Sequence, residues 1–128
     1  VCVAAAASYS VVTIDQPPFV IEQRSASGLL VGTLGFFPNF VPLLFQEAGV
    51  SGASFVQFPS PDGESGRLSN GSWTGGMGEL VSGRADLFYG SLSISSSRLQ
   101  VIQFSTPFHQ NTLSVLIKKP VSQATVWA

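Results

Sequence analysis

Val11-Val12-Thr13-Ile14 places β-branched residues in unbroken succession. A run without polar alternation suits a strand buried on both faces, as in the parallel sheets of α/β proteins. Gln16-Pro17-Pro18-Phe19 then stops the strand, because proline fixes φ and has no backbone donor. The tetrad is a rigid turn that presents Phe19 at the strand's C-terminal end, where open α/β sheets bind their ligands.

The remaining chain is expected to alternate short strands with short helices. After a loop from Ser25 to Gly35, Asn39 is placed to cap a helix over roughly residues 40–48, with Pro42 in its first turn and Gly49 closing it. Ser54 to Phe58 reads as a strand, and Pro59 to Asn70 as a long Ser/Gly/Asp loop. Met77 to Ser82 reads as a short helix ended by Gly83, and Ala85 to Tyr89 as the next strand. A serine-rich turn, Gly90 to Ser97, leads to a helical turn from Arg98 to Ile102, and Thr112 to Ile117 is expected to form the last strand. This order predicts an α/β layer fold with largely parallel pairing.

Composition narrows the function. The 128 residues allow one domain with a real core. Net charge is −1, which removes the electrostatic footprint of a phosphate-backbone binder, so no nucleic-acid partner is expected. Only 10% of residues are charged, against about 25% in ordinary soluble domains. Such a surface is either normally covered by something else or kept soluble by serine and glycine. Cys2 is the single cysteine and His109 the single histidine, so neither an internal disulfide nor a zinc constellation is available, and no metal or cofactor is expected. The Gly28–Phe45 stretch is apolar but broken by Thr33, Pro38, Asn39 and Pro42, and it does not read as a membrane span. Residues 1–8 read as a strand lead-in or the remnant of a secretory signal.

The sharpest local chemistry lies in Ser91-Leu92-Ser93-Ile94-Ser95-Ser96-Ser97-Arg98. Ser95 can cap the following helix, whose free N–H groups would lie near the Arg98 guanidinium. A planar fork of donors matches two carboxylate oxygens at once. The alternative is a solvated arginine beyond a flexible serine loop. Phe19 has the same duality, between a core plug and a cover over a ligand. Trp73 reads as a packing anchor and Lys118-Lys119 as a solvated strand end. Asn70-Gly71-Ser72 forms an N-glycosylation sequon in an expected loop. No Gly-x-Ser-x-Gly elbow accompanies His109, Glu79 reads as a structural group, and no phosphate-loop pattern surrounds Met77. No enzymatic activity is expected.

The ordered motifs resemble the ligand-binding domain of ionotropic glutamate receptors and, more distantly, periplasmic-type amino-acid solute-binding proteins. The resemblance rests on Trp73-Thr74-Gly75-Gly76-Met77-Gly78-Glu79-Leu80, then Gly83-Arg84-Ala85-Asp86-Leu87, Ser91-Leu92-Ser93-Ile94, Arg98, Phe104-Ser105-Thr106-Pro107-Phe108 and Ile117-Lys118-Lys119-Pro120. Upstream, Val12-Thr13-Ile14, Pro18-Phe19-Val20 and Gly35-Phe36 follow the same order. The family usually has Pro-Leu-Thr-Ile where Ser91 to Ile94 stand here. Asn39, Gln103 and Leu99-Gln100 replace residues that are usually or frequently acidic.

The resemblance implies one lobe of a periplasmic-binding-protein-like (type II) clamshell, with a mixed, mostly parallel sheet and flanking helices. Residues 9–120 would form lobe 1, and 121–128 a linker towards a transmembrane helix or the second lobe. Arg98 would grip the α-carboxylate of an amino acid, assisted by the Ser93 N–H and hydroxyl. The Ser91 carbonyl would take the α-amino group, and Phe19 would cover the ligand. The second lobe and the pore would lie beyond Ala128, in a tetramer whose binding domain faces the outside of the plasma membrane. The other readings are a periplasmic or secreted solute-binding protein feeding a transporter, and a lobe recruited as a structural subunit of a larger assembly.

Overall fold

The structure is a computed structural model that describes residues 8–50 and 52–119. Of the expected lead-in (residues 1–8), residues 1–7 lie outside the described residues, as does the expected linker (121–128); Ser8 already belongs to the first strand.

The β-branched run forms strand β1, Ser8–Thr13, and it is the centre of the fold. Val11, Val12 and Thr13 are fully buried, as a strand covered on both faces requires. On one side β1 pairs in parallel with β4, Ser54–Pro59, and on the other with β7, Leu87–Tyr89, giving the order β4-β1-β7. The two strands that follow β1 in the sheet thus lie on opposite sides of it. Beyond the C-terminal end of β1 the connections diverge, and such divergence opens a crevice in α/β sheets. Asp86 fastens this arrangement just ahead of β7. Its backbone N–H donates to the Ser10 carbonyl at 2.8 Å, and its Oδ2 accepts the Ser10 N–H at 2.8 Å.

Between β1 and β4 the chain forms β2, Ile21–Arg24, β3, Leu30–Leu34, and helix α1, Phe36–Glu47. The expected Ser25–Gly35 loop is thus largely an antiparallel hairpin. Its turn is closed by the Gly28 N–H on the Ser25 carbonyl at 2.9 Å, with Gly28 at φ 83°. Polar Glu22, Gln23 and Arg24 hide the period of β2, so pairing rather than pattern makes the strand.

Helix α1 begins at Phe36, not near residue 40, and Asn39 does not cap it. Asn39 lies inside the helix, where its Nδ2 donates to the Gly35 carbonyl at 3.0 Å. The first helical donors are satisfied instead by the proline turn: Phe36 N–H donates to the Pro18 carbonyl at 3.2 Å and Phe37 N–H to the Phe19 carbonyl at 3.0 Å. Gly35 permits that approach, since a Cβ there would stand 2.8 Å from both carbonyl oxygens at φ 112°. Pro42 consequently falls inside the helix rather than in its first turn. Gly49, at φ 83°, follows the helix as expected.

Between β4 and β7 lie a two-residue-looped hairpin, β5, Leu68–Ser69, with β6, Ser72–Trp73, and helix α2, Gly75–Val81. This hairpin occupies the end of the expected long loop, and Trp73 is half-buried in it. The α2 donors of Gly76 and Met77 are met by the Glu64 and Ser65 carbonyls at 3.0 and 2.8 Å. Met77 is fully buried beneath them. After β7 the short helix α3, Ser96–Leu99, replaces the expected turn from Arg98 to Ile102, and Ser95 precedes it without a side-chain cap bond. The expected strand from Thr112 to Ile117 is not formed. Leu113, Val115, Leu116 and Ile117 are 81–103% exposed, because no neighbouring strand edge pairs with them. Lys118 and Lys119 are therefore exposed coil rather than a strand end.

Val11, Val20 and Tyr89 form the core, with Phe37, Val41, Phe55 and Leu87 packed against it. The Tyr89 hydroxyl is buried without a hydrogen-bond partner among the described residues, and burial pushes its pKa up to about 12. An unmet buried hydroxyl costs about 1–3 kcal/mol. Tyr89→Phe is therefore expected to stabilise the protein by about 1 kcal/mol in denaturant unfolding. In the native chain, stability should fall as pH rises from 10.0 towards 12, since the folded state resists ionising Tyr89, and the phenylalanine variant should lose that slope.

Candidate functional site at the C-terminal ends of the strands

The loops leaving β1, β4 and β7 are tied to one another by specific hydrogen bonds. Ser60 N–H, just beyond β4, donates to the Thr13 carbonyl at 2.8 Å, joining the ends of β4 and β1. Ser91 N–H, just beyond β7, donates to Gln16 Oε1 at 2.7 Å, joining the ends of β7 and β1. The Gln16 carbonyl in turn accepts the Phe19 N–H at 2.9 Å. Gln16 thus connects Ser91 with Phe19, a role that its place before two prolines gave no local signal for.

Arg98 is half-buried in α3. Its Nη1 donates to the Ser93 carbonyl and to Ser93 Oγ, both at 2.9 Å, and its Nη2 to the Gly66 carbonyl at 3.3 Å. The structure therefore brings Ser93 and Arg98 into contact and adds Gly66, which lies in what reads as an ordinary loop. That loop is rigid for local reasons. The buried Ser60 hydroxyl is shared between Asp62 Oδ1 at 3.0 Å and the Glu64 carbonyl at 2.9 Å, while Glu64 N–H donates to Asp62 Oδ1 at 2.9 Å. The Glu64 N–H and the Ser60 hydroxyl hold the Asp62 carboxyl below its ordinary 3.8. Gly66 sits at φ 115°, and a Cβ there would lie 2.1 Å from the Thr74 carbonyl oxygen and 2.8 Å from Met77 Cβ. Only glycine lets the loop pass beneath α2 and offer its carbonyl to Arg98.

Phe19 is half-buried in an aromatic cluster, with ring centroids 6.0 Å from Phe37, 5.6 Å from Phe108 and 6.3 Å from His109. His109 is thereby a neighbour of the ring. Phe36 stacks on Phe40 at 4.9 Å and Phe108 meets Phe37 edge-on at 4.9 Å, so the cluster runs along the first turns of α1. Among the described residues no three His, Cys, Asp or Glu gather as metal ligands.

Glu79 has a different role. It is 7% exposed, and Arg84, 65% exposed, grips both its oxygens through Nε and Nη2 at 2.7 Å. The hydrogen bonds from Arg84 hold the Glu79 carboxyl below its ordinary 4.5. A lowered folded-state pKa stabilises above the ordinary value and is lost as pH falls through the lowered one. The melting temperature should therefore drop on acidification below 4.5, and this acid slope should flatten in Arg84→Gln. Equal slopes in the two proteins would count against the pair.

These observations define the class: a mixed α/β lobe around a parallel sheet, with an arginine-bearing polar rim and an adjoining aromatic cluster at the strands' C-terminal ends. The chain belongs to the ligand-binding domain family of the ionotropic glutamate receptors. The family model described as "Ligated ion channel L-glutamate- and glycine-binding site" matches residues 7–121. The chain is 33% identical over 119 residues to "Glutamate receptor ionotropic, delta-1" of Mus musculus and Homo sapiens, covering 92% of this chain and 12% of those proteins. It is 36% identical over 88 residues to "Glutamate receptor ionotropic, NMDA 3A" of Rattus norvegicus, covering 69% of this chain and 8% of the relative. The chain thus spans about an eighth or less of the length of these relatives. No helix among the described residues is long and apolar enough to cross a membrane.

Proposed function

We propose that the chain is the first lobe of a two-lobed extracellular ligand-binding domain in a glutamate-receptor-like, ligand-gated ion channel, where it recognises an amino acid by its α-carboxylate. The observation that carries this reading is the half-anchored state of Arg98. A guanidinium has five N–H donors, and Ser93 O, Ser93 Oγ and Gly66 O each take one. Among the described residues no partner takes Nε–H, which neighbours Nη2 on one edge of the guanidinium. Arg84 already uses that edge to hold the two oxygens of Glu79. Arg98 is thus pre-oriented to hold a carboxylate in the same way, with little further ordering cost.

Ser93 assists directly. Its Oγ accepts from Arg98, which leaves its own O–H free to donate to a second carboxylate oxygen. The Ser91 carbonyl takes the ligand's α-amino group, held in place by the bond from its N–H to Gln16. Phe19 covers the ligand from the β1 side. The exposed apolar run of Leu113, Val115, Leu116 and Ile117 supports a partner surface such as a second lobe, since apolar surface of this kind is normally covered. Calorimetric titration of the intact protein with L-glutamate and with glycine tests the reading. Binding of either, lost when glycinamide replaces glycine, is the expected result; indifference to both, or equal binding of glycinamide, overturns it.

A further inference from the structure

The Asn70-Gly71-Ser72 sequon has no part in the ligand site, yet the structure gives it a definite setting. Residues 70 and 71 are the two-residue turn between β5 and β6, with Leu68 opposite Trp73 and Ser69 opposite Ser72. Asn70 has φ 49° and Gly71 φ 77°, the left-handed pair that a tight hairpin turn of this length uses. Asn70 is the sole non-glycine residue with positive φ among the described residues, and asparagine tolerates that conformation best. Asn70, Gly71 and Ser72 are all exposed, and nothing lies within 4 Å of a Cβ built on Gly71. Asn70 therefore stands exposed at the tip of the hairpin, with open space beside Gly71.

A shallow concavity of about 290 Å³ adjoins this tip, lined by Ser72, Trp73, Val81, Ser82 and Arg84 among others. Trp73 and Val81 supply apolar surface, and the serines and Arg84 supply hydrogen-bonding groups. That mixture suits a sugar ring, which carries apolar C–H faces and polar rim hydroxyls.

We infer that Asn70 is an N-glycosylation site whose first sugar lies against the concavity beside Trp73. In the transfer the Asn70 amide nitrogen bonds to C1 of the sugar of a lipid-linked oligosaccharide. The bond from C1 to the lipid diphosphate oxygen breaks, the lipid diphosphate leaves, and one amide proton passes to a base; no oxidant or reductant is required. Ser72 supplies the hydroxyl by which the acceptor triplet is recognised. The inference rests on the extracellular placement proposed above and is independent of the ligand chemistry.

The test is glycopeptide mass spectrometry of the intact protein made in a eukaryotic secretory host, together with an epitope tag read from outside unpermeabilised cells. The expected result is a peptide carrying hexosamine at Asn70, retained in Ser72→Thr and lost in Ser72→Ala, which leaves the Asn70 turn intact. A tag reached from outside with Asn70 unmodified overturns the site alone. A tag that is not reached overturns the placement and the site together. Because Ser72→Ala alters neither Asn70 nor Arg98, loss of amino-acid binding is not expected in that variant.

Discussion

Arg98→Ala is expected to weaken amino-acid binding by about 2–5 kcal/mol, the cost of removing one partner of a hydrogen-bonded charge pair. At about 1.4 kcal/mol per factor of ten, that is roughly a 30- to 4,000-fold loss of affinity. The fold should be unaffected, because Arg98 lies on the four-residue α3 and bonds outward to Ser93 and Gly66 rather than into the core. Arg98→Lys should lose most of the same affinity, since an ammonium is a point charge without the Nε and Nη2 edge. Titration calorimetry with L-glutamate and glycine, alongside a thermal melt of each variant, separates the two effects. Unchanged affinity in Arg98→Ala would falsify the carboxylate assignment.

Gly66→Ala is the substitution expected to harm both stability and binding. The new Cβ would meet the Thr74 carbonyl oxygen at 2.1 Å, and backbone atoms yield little. Overpacking of this kind costs about 1–3 kcal/mol, and the left-handed φ of 115° adds about 1–2 kcal/mol for a residue with a side chain. Displacing the Gly66 carbonyl also releases Arg98 Nη2, so affinity should fall beyond what the stability loss explains. Gly63→Ala is the matched control. Its φ of 70° carries the conformational penalty, but nothing lies within 4 Å of the added methyl. If the two alanines cost the same in denaturant unfolding and in ligand titration, the close approach beneath α2 is unimportant.

Several features of the fold could be read directly from side-chain type. The β-branched run at β1 is buried as its composition demands, and Gly49 and Gly83 both take positive φ just beyond their helices. Spacing pointed to Ser95 beside Arg98, whereas the contact that forms is from Arg98 to Ser93, a residue that only the family resemblance singles out. What escaped notice depends on residues far apart in the chain. The start of α1 is set by the Pro18 and Phe19 carbonyls, so a local search for a capping side chain settles on Asn39 instead. The β2 strand has no apolar period and exists because β3 pairs with it. The Thr112–Ile117 run has the composition of a strand but no edge to join. The Gly66 carbonyl carried no sequence signal at all, because a backbone acceptor looks alike in every residue.

The proline turn has one mechanical consequence. The Pro18 and Phe19 carbonyls accept the first N–H groups of α1, so the turn that carries the Phe19 ring is tied to the start of the helix. At 1.5 Å rise per residue, the 12 residues of α1 extend about 18 Å from that point. Near its far end Phe45 packs edge-on against Tyr9 and Phe55, each at 5.2 Å, so a shift of the turn would be carried along the helix into the contact of α1 with β1 and β4.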